Sequence, residues 1–357
     1  MNLLVVQTAF LGDAVLTTPL LRALKETHPG CRLTLLTTPA NKALLEGLME
    51  VDEFLLDRKR EEGVLRASLR LLGPLREGNF DLAVAAHRSA RTALLLALAR
   101  IPRRVGFDAN PLSRLYHQRV HDDPARQAGR RYLLLMKAFD RDPASFDHQT
   151  FLRVDPERYA HVDAVLRERG FDGSRPVAVL AHGSVWVTKK WTEEGYAALA
   201  DFLREKRGFD VVLVGDASER ERAARICALS RTEPVDLTGR TTLADVVALI
   251  ARCDFVVSND SAPLHIASAF RKPQVAVFCS TAPEAGFVPT HERWAVAQLE
   301  GLYCRPCGVH GAKRCPEGHF RCIKELAPEA VFEAAERVLG RPPGPADTAG
   351  EGGAASS

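Results

Sequence analysis

The chain contains no run of about 18 uninterrupted apolar residues, so nothing in it reads as a transmembrane segment. Its opening, Met1-Asn2-Leu3-Leu4-Val5-Val6-Gln7, lacks the basic start of a signal peptide, and a cytoplasmic protein is the expectation. An excess of either charge is also missing. With 48 basic and 45 acidic residues the formal net charge is +3, which gives no reason to expect a nucleic-acid partner, and any polyanion must be met by local basic groups. No G-x-G-x-x-G follows the first apolar strand, which argues against a dinucleotide-dependent dehydrogenase. No repeat of roughly 20 to 50 residues suggests a solenoid. The signature of disorder is absent from most of the chain, because 46% apolar and 26% charged residues are ordinary for a globular protein. At 357 residues the chain exceeds the roughly 250 to 300 that one core serves, so two domains are expected.

What is present is a rhythm of short apolar runs alternating with amphipathic segments. Leu3 to Gln7, Leu33 to Thr37, Phe54 to Leu56 and Asp81 to Ala85 read as strands, with a helix expected from Ala14 to Lys25 and others after each strand. The pattern falters from Asp108 to Asp155, where prolines, histidines and charges crowd together. It restarts at Val177 to Leu180, Val211 to Gly215, Val235 to Leu237, Phe255 to Val257 and Val275 to Phe278. Continuous apolar strands alternating with helices predict an α/β protein with parallel sheets covered on both faces. The expected domains are residues 1–165 and 170–335, each doubly wound and Rossmann-like, facing a cleft that holds the function. Residues 341–357, rich in Pro, Gly, Ala and Ser, read as a disordered tail.

Four stretches carry possible chemistry. After the first strand, Gly12-Asp13 offers a tight turn and a carboxylate that either caps the next helix or is held out as a base. His182 to Trp191 contains Ser184, Lys189 and Lys190 in a small-residue loop suited to phosphate, or simply a solvated loop in which Trp191 packs a helix down. Ser258-Asn259-Asp260-Ser261-Ala262-Pro263-Leu264-His265 is a strand end followed by capping residues and a proline that a first helical turn tolerates, which would present free amides to an anion. Glu219, after Gly215-Asp216, is placed to accept from ribose hydroxyls or to favour a helix dipole. Cys304, Cys307, Cys315 and Cys322 cluster with His310 and His319, spaced either for a small metal knuckle or as reduced structural thiols, whereas Cys31, Cys227, Cys253 and Cys279 sit in apolar segments like core residues.

Taken together these motifs resemble glycosyltransferase family 9, the bacterial ADP-heptose:lipopolysaccharide heptosyltransferases of GT-B fold. The resemblance covers about residues 1 to 335 and rests on Leu11-Gly12-Asp13-Ala14-Val15-Leu16-Thr17-Thr18-Pro19, Lys189-Lys190-Trp191 and Ser258 to Ala267. It implies an inverting glycosyltransferase of two domains, with an ADP-sugar donor and a lipopolysaccharide core acceptor met at the cytoplasmic face of the inner membrane. It makes Asp13 the base and Lys189 the catalytic cation, with Ser184, Lys190, Glu219, Asp260, Ser261, Ala262 and His265 around the donor. Where the family usually has a small-Gly-Pro turn this chain reads Ser261-Ala262-Pro263, a possible reshaping of the phosphate site. Arg88 and Arg91, just beyond a strand end, are the expected acceptor contacts, because arginine binds phosphate and carboxylate bidentately. No cofactor and no metal are expected. A different nucleotide sugar or acceptor, or a non-catalytic nucleotide-binding protein, are the alternatives.

Overall fold

The computed structural model describes residues 1–124 and 126–340, so the expected tail at 341–357 lies outside the described residues. The chain forms two compact units, Met1–Asp155 with Glu284–Thr290, and Pro156–Pro283 with the residues from His291 onward.

The first unit runs β1 (Asn2–Gln7), α1 (Leu11–Leu16), α2 (Thr18–Thr27), β2 (Arg32–Thr37), α3 (Pro39–Leu45), β3 (Glu53–Leu56), α4 (Lys59–Glu62), α5 (Val64–Glu77), β4 (Leu82–Ala85), α6 (Ala90–Leu98), β5 (Arg103–Phe107), β6 (Gln118–Val120) and α7 (Ala128–Leu133). Its strands are all parallel, in the order β3-β2-β1-β4-β5-β6. Leu3 to Val6 and Leu82 to Ala85 are buried throughout, as strands covered on both faces must be.

The second unit runs α8 (Pro156–Glu168), β7 (Val177–Ala181), α9 (Glu193–Arg207), β8 (Asp210–Val214), α10 (Arg220–Leu229), β9 (Val235–Asp236), α11 (Leu243–Arg252), β10 (Phe255–Asn259), α12 (Ala262–Ala269), β11 (Gln274–Phe278), β12 (Trp294–Gln298), α13 (Arg321–Lys324) and α14 (Pro328–Leu339). Its parallel sheet has the order β12-β11-β10-β7-β8-β9. Counted from β7, that is the order of the first unit again. Both are doubly wound sheets whose order reverses once, between β1 and β4 and between β7 and β10. Ligands of such sheets bind beyond the strand C-termini at that reversal.

Three expectations need correction. The single helix expected from Ala14 to Lys25 starts at Leu11 and breaks at Thr17. Pro19 has no N–H to give Val15, and the Thr18 hydroxyl takes that carbonyl instead at 2.8 Å, while the Thr17 hydroxyl takes the Asp13 carbonyl at 2.7 Å. Residues 156–165, placed by the sequence at the end of the first domain, are the start of α8, which lies in the second unit. It packs on α11, with Arg158 3.1 Å from Asp245 and Arg252 2.7 Å from Asp163. The stretch from Asp108 to Asp155, where the sequence pattern faltered, contributes β6 and α7. Among the described residues no helix is long and apolar enough to cross a membrane.

Candidate functional site

In the first unit the reversal lies between the loops after β1 and β4. Asp13 sits in the first turn of α1, whose N-cap is Phe10 with no side-chain cap, so the carboxylate is not the helix cap considered from sequence. It accepts a hydrogen bond at Oδ1 from Tyr132 Oη at 2.8 Å. Tyr132 lies on α7 and is buried, and burial, with the charge of Asp13 and the hydrogen bond to it, raises its pKa well above 10. The phenol is therefore a neutral donor. Next to it on α7, Arg131 forms a two-pronged pair with Asp122, at 2.5 and 2.6 Å. Burial alone would weaken the Arg131 cation, but the Asp122 contact raises its pKa on balance. Arg88 reaches the same Asp122 at 3.6 Å from a side chain that is 45% exposed.

Arg91 has a different position. Its guanidinium holds the buried Asp57 at 2.5 and 3.1 Å and donates to Ser68 Oγ at 2.7 Å. Lys59 supports the same loops by donating to the carbonyl and hydroxyl of Thr8, both at 3.1 Å. His87 at the β4 end has Nδ1 3.2 Å from the Val6 carbonyl, which can only accept, so Nδ1 carries the proton and Nε2 accepts from the Thr92 hydroxyl at 2.9 Å. Arg91 thus braces two loops through a buried carboxylate, while Arg88 is the one of the expected pair that keeps an exposed head.

In the second unit the reversal gathers most of the donor residues expected from sequence. Lys189 Nζ lies 2.6 Å from Asp260 Oδ2 with both residues buried, and the Thr281 hydroxyl donates to the same oxygen at 2.7 Å. An ammonium has three N–H donors, so Lys189 can hold Asp260 and still donate to a ligand. Lys190 Nζ is 3.2 Å from Glu219 Oε1. That carboxylate also accepts from the backbone N–H of Ser184 at 3.0 Å and of Asp216 at 3.3 Å, the second closing a capping box on the turn before α10. A Cβ at Gly183 would collide with it, so only glycine permits this approach. Asn259 ties the strand ends together. Its amide donates to the carbonyls of His182 and Gly183 at 2.9 and 3.2 Å and accepts from the Trp191 N–H at 3.2 Å.

Ser261 is the N-cap of α12 without a side-chain cap bond, Ala262 opens the helix, and Pro263 stands in its first turn. Neither Asp260 nor Ser261 caps through its side chain as the sequence suggested. Asp260 is engaged by Lys189, and Ser261 Oγ lies 3.2 Å from Ser258 Oγ. The positive end of α12 is consequently left to its own amides, which suits an anion. His265 is buried on the same helix, and burial, only partly opposed by Asp260, pushes its pKa down to about 4. It is a neutral imidazole near the Lys189–Asp260 pair and brings no positive charge to a phosphate.

The cysteine-rich loop folds back on this site. Thr188 exchanges hydrogen bonds with Ala312, its N–H and hydroxyl both reaching the Ala312 carbonyl and its hydroxyl accepting the Ala312 N–H at 2.8 Å. The Arg305 guanidinium donates to the carbonyls of Phe278, Leu299 and Thr281 and to Gln298. Carbonyls captured by one arginine, together with the Thr188 exchange, order this apolar-poor segment. All eight cysteines are free thiols, and among the described residues no group of three or more His, Cys, Asp or Glu is placed to hold a metal ion.

Sequence reasoning missed Tyr132, Arg131, Asp122 and Asp57. Tyr132 and Asp57 act through partners 119 and 34 residues away, Arg131 and Asp122 pair across nine residues of irregular sequence, and no local motif marks any of them.

Comparison with known proteins bears on the family and the fold. A family model described as glycosyltransferase family 9 (heptosyltransferase) matches residues 68–316. Lipopolysaccharide heptosyltransferase 2 of Escherichia coli is 26% identical over 351 residues, covering 95% of this chain and 99% of the relative. Lipooligosaccharide heptosyltransferase 2 of Haemophilus influenzae is 26% identical over 356 residues, covering 96% and 100%. Among solved structures, E. coli ADP-heptose lps heptosyltransferase II superposes with a TM-score of 0.77 at 25% identity, covering 95% of this chain and 98% of that one. A family 9 glycosyltransferase from Veillonella parvula reaches 0.84 at 20% identity, covering 95% and 97%, which speaks to the fold alone. The two doubly wound sheets are of GT-B type, and with a family model matching more than half its length the chain belongs to glycosyltransferase family 9.

Proposed function

We propose that the protein is an inverting heptosyltransferase that moves heptose from ADP-heptose to the inner core of lipopolysaccharide. The observation that carries this reading is the position of Asp13, Lys189, Asp260 and Ser261, which all follow strands bordering the sheet reversals β1/β4 and β7/β10, where doubly wound sheets bind ligands. Relatives named heptosyltransferase 2 that match nearly the whole chain support the choice of sugar and acceptor.

Asp13 is the general base. As the bond from the sugar carbon to ADP lengthens, the acceptor hydroxyl attacks that carbon from the opposite face and passes its proton to the carboxylate, so the anomeric configuration inverts. The electron pair of the broken bond leaves on ADP. Lys189 and the first amides of α12, from Ala262 onward, stabilise that growing negative charge without having to reorient. Asp260 holds Lys189 in place, and Lys190 with Ser184 holds Glu219 towards the donor's ribose. His265 supports the Lys189–Asp260 pair from behind rather than meeting phosphate. Arg88 contributes an exposed cation for the anionic acceptor, whereas the part of Arg91 is to brace its loop. The acceptor is anchored in lipid, so the enzyme works as a cytoplasmic protein at the inner face of the membrane.

The test is a panel of nucleotide sugars offered to the purified protein with inner-core acceptor, reading the nucleotide released. ADP released from ADP-heptose, and only when acceptor is present, is the expected result. Release of UDP from a UDP-sugar, or no acceptor dependence, would reject the reading.

A further inference from the structure

Asp13 and Tyr132 are 119 residues apart, yet their side chains meet at 2.8 Å. The phenol is buried and spends its only O–H on Oδ1 of the carboxylate. Resting on the reading of Asp13 as the base, we propose that Tyr132 is a positioning residue that fixes the rotation of the Asp13 carboxylate and sets its basicity. A hydrogen bond donated to the charged form of an acid favours that form, so this contact keeps Asp13 ionised and ready to accept a proton at lower pH than it otherwise would. Tyr132 keeps its own proton throughout. Burial and the adjacent negative charge hold the phenol neutral across any working pH, so it cannot compete as acid or base. The only proton that moves is the one passing from the acceptor hydroxyl to Asp13.

The charged groups on the elements packed around α1 have partners of their own. From α7 the charged neighbour is Arg131, whose cation lies within electrostatic range of Asp13 but is tied by two hydrogen bonds to Asp122. From α3, Lys42 is paired with Glu46 at 3.0 Å. From α2, Arg22 faces Glu50 and Asp147, and Lys25 faces Asp52. Below the loop, Gln7 donates to the Thr17 hydroxyl, which in turn donates to the Asp13 carbonyl, so that chain fixes the backbone of α1. Tyr132 acts on the carboxylate itself.

The test is the pH dependence of kcat/KM for the acceptor in Tyr132→Phe, which removes one oxygen and keeps the ring. Activity requires ionised Asp13 and is lost as pH falls through its pKa. Losing the hydrogen bond raises that pKa, so the acidic limb should move to higher pH by roughly half to one unit. Turnover at neutral pH should fall roughly 10- to 100-fold as the carboxylate loses its orientation, with KM for the ADP-sugar unchanged. Fluorotyrosine placed at position 132 is a stronger donor and should move the limb the other way. A residue serving only to pack would change the folded fraction and leave the midpoint where it was. Superimposable pH profiles for wild type and both variants would overturn the inference, and because fluorotyrosine preserves the side chain's shape, the test survives a poorly folding Phe variant. Asp13→Asn measured alongside separates the two claims. If it retains turnover, the base reading itself fails. If it is inactive while both position-132 variants keep the wild-type profile, only the role of Tyr132 falls.

Discussion

The two units share one strand order and treat charge in opposite ways. In the first, the carboxylate we propose as the base accepts from a neutral phenol, and the cations Arg131 and Arg91 are bound to Asp122 and Asp57. In the second, the groups we propose to meet the donor are two lysine–carboxylate pairs, Lys189 with Asp260 and Lys190 with Glu219, beside the amides of α12. The contrast follows the two chemical tasks. A base must keep a lone pair available for the incoming proton. A leaving diphosphate needs positive charge close by, and lysines held on carboxylates stay placed until the anion arrives.

The largest effect should come from the base. Asp13→Asn should lower turnover by roughly 10² to 10⁴, and unchanged turnover would remove Asp13 from the mechanism.

Acid should destabilise the second unit through its buried histidines. His182 is fully buried and His265 nearly so, and burial holds each at a pKa of about 4 against about 6.5 in an unfolded chain. Because the folded values are depressed, the unfolded chain binds more protons below pH 6.5, and stability falls from there down to about pH 4, by at most about 1.4 kcal/mol per pH unit for each histidine. Denaturant midpoints measured at pH 7 and pH 5 read this directly, and equal midpoints would contradict it.

Within the second unit, Lys189→Ala should weaken donor binding and turnover together by roughly 10- to 100-fold, since it strips a cation from the anion site and leaves Asp260 buried without its partner. Lys190→Ala should be milder because Glu219 keeps the Ser184 and Asp216 amides. Steady-state kinetics of both variants decide this, and a more damaging Lys190→Ala would move the assignment by one residue.

The smallest effect separates two arginines that look alike in sequence. Arg91→Ala should cost about 1–3 kcal/mol of stability by removing the guanidinium that holds buried Asp57, whereas Arg88→Ala should leave the melting temperature unchanged and raise only the acceptor KM. Equal losses of stability would erase the distinction.

The same distinction shows what could be read in advance. Asp13, Lys189, Asp260 and Ser261 were legible because each stands in a short segment between an apolar strand and a helix, where position along the chain fixes position in the fold. The parallel sheets were legible for the same reason. Tyr132 and Arg131 were not, because β6 and α7 lie in a stretch whose hydrophobic periodicity is broken by proline, histidine and charge, and their partners are set by tertiary packing. Arg91 read as a ligand because its spacing from a strand end is visible and its contact with Asp57, 34 residues earlier, is not. Glu219 shows the mixed case. Its place after β8 was visible, but the capping box that restrains it and the glycine that makes room for it emerge only from packing.

The division of labour between the units is tested most directly by calorimetric titration of ADP into Asp13→Asn and Lys189→Ala. It predicts wild-type affinity for the first and weakened affinity for the second. Loss of ADP affinity in Asp13→Asn, with Lys189→Ala binding as wild type does, would contradict it.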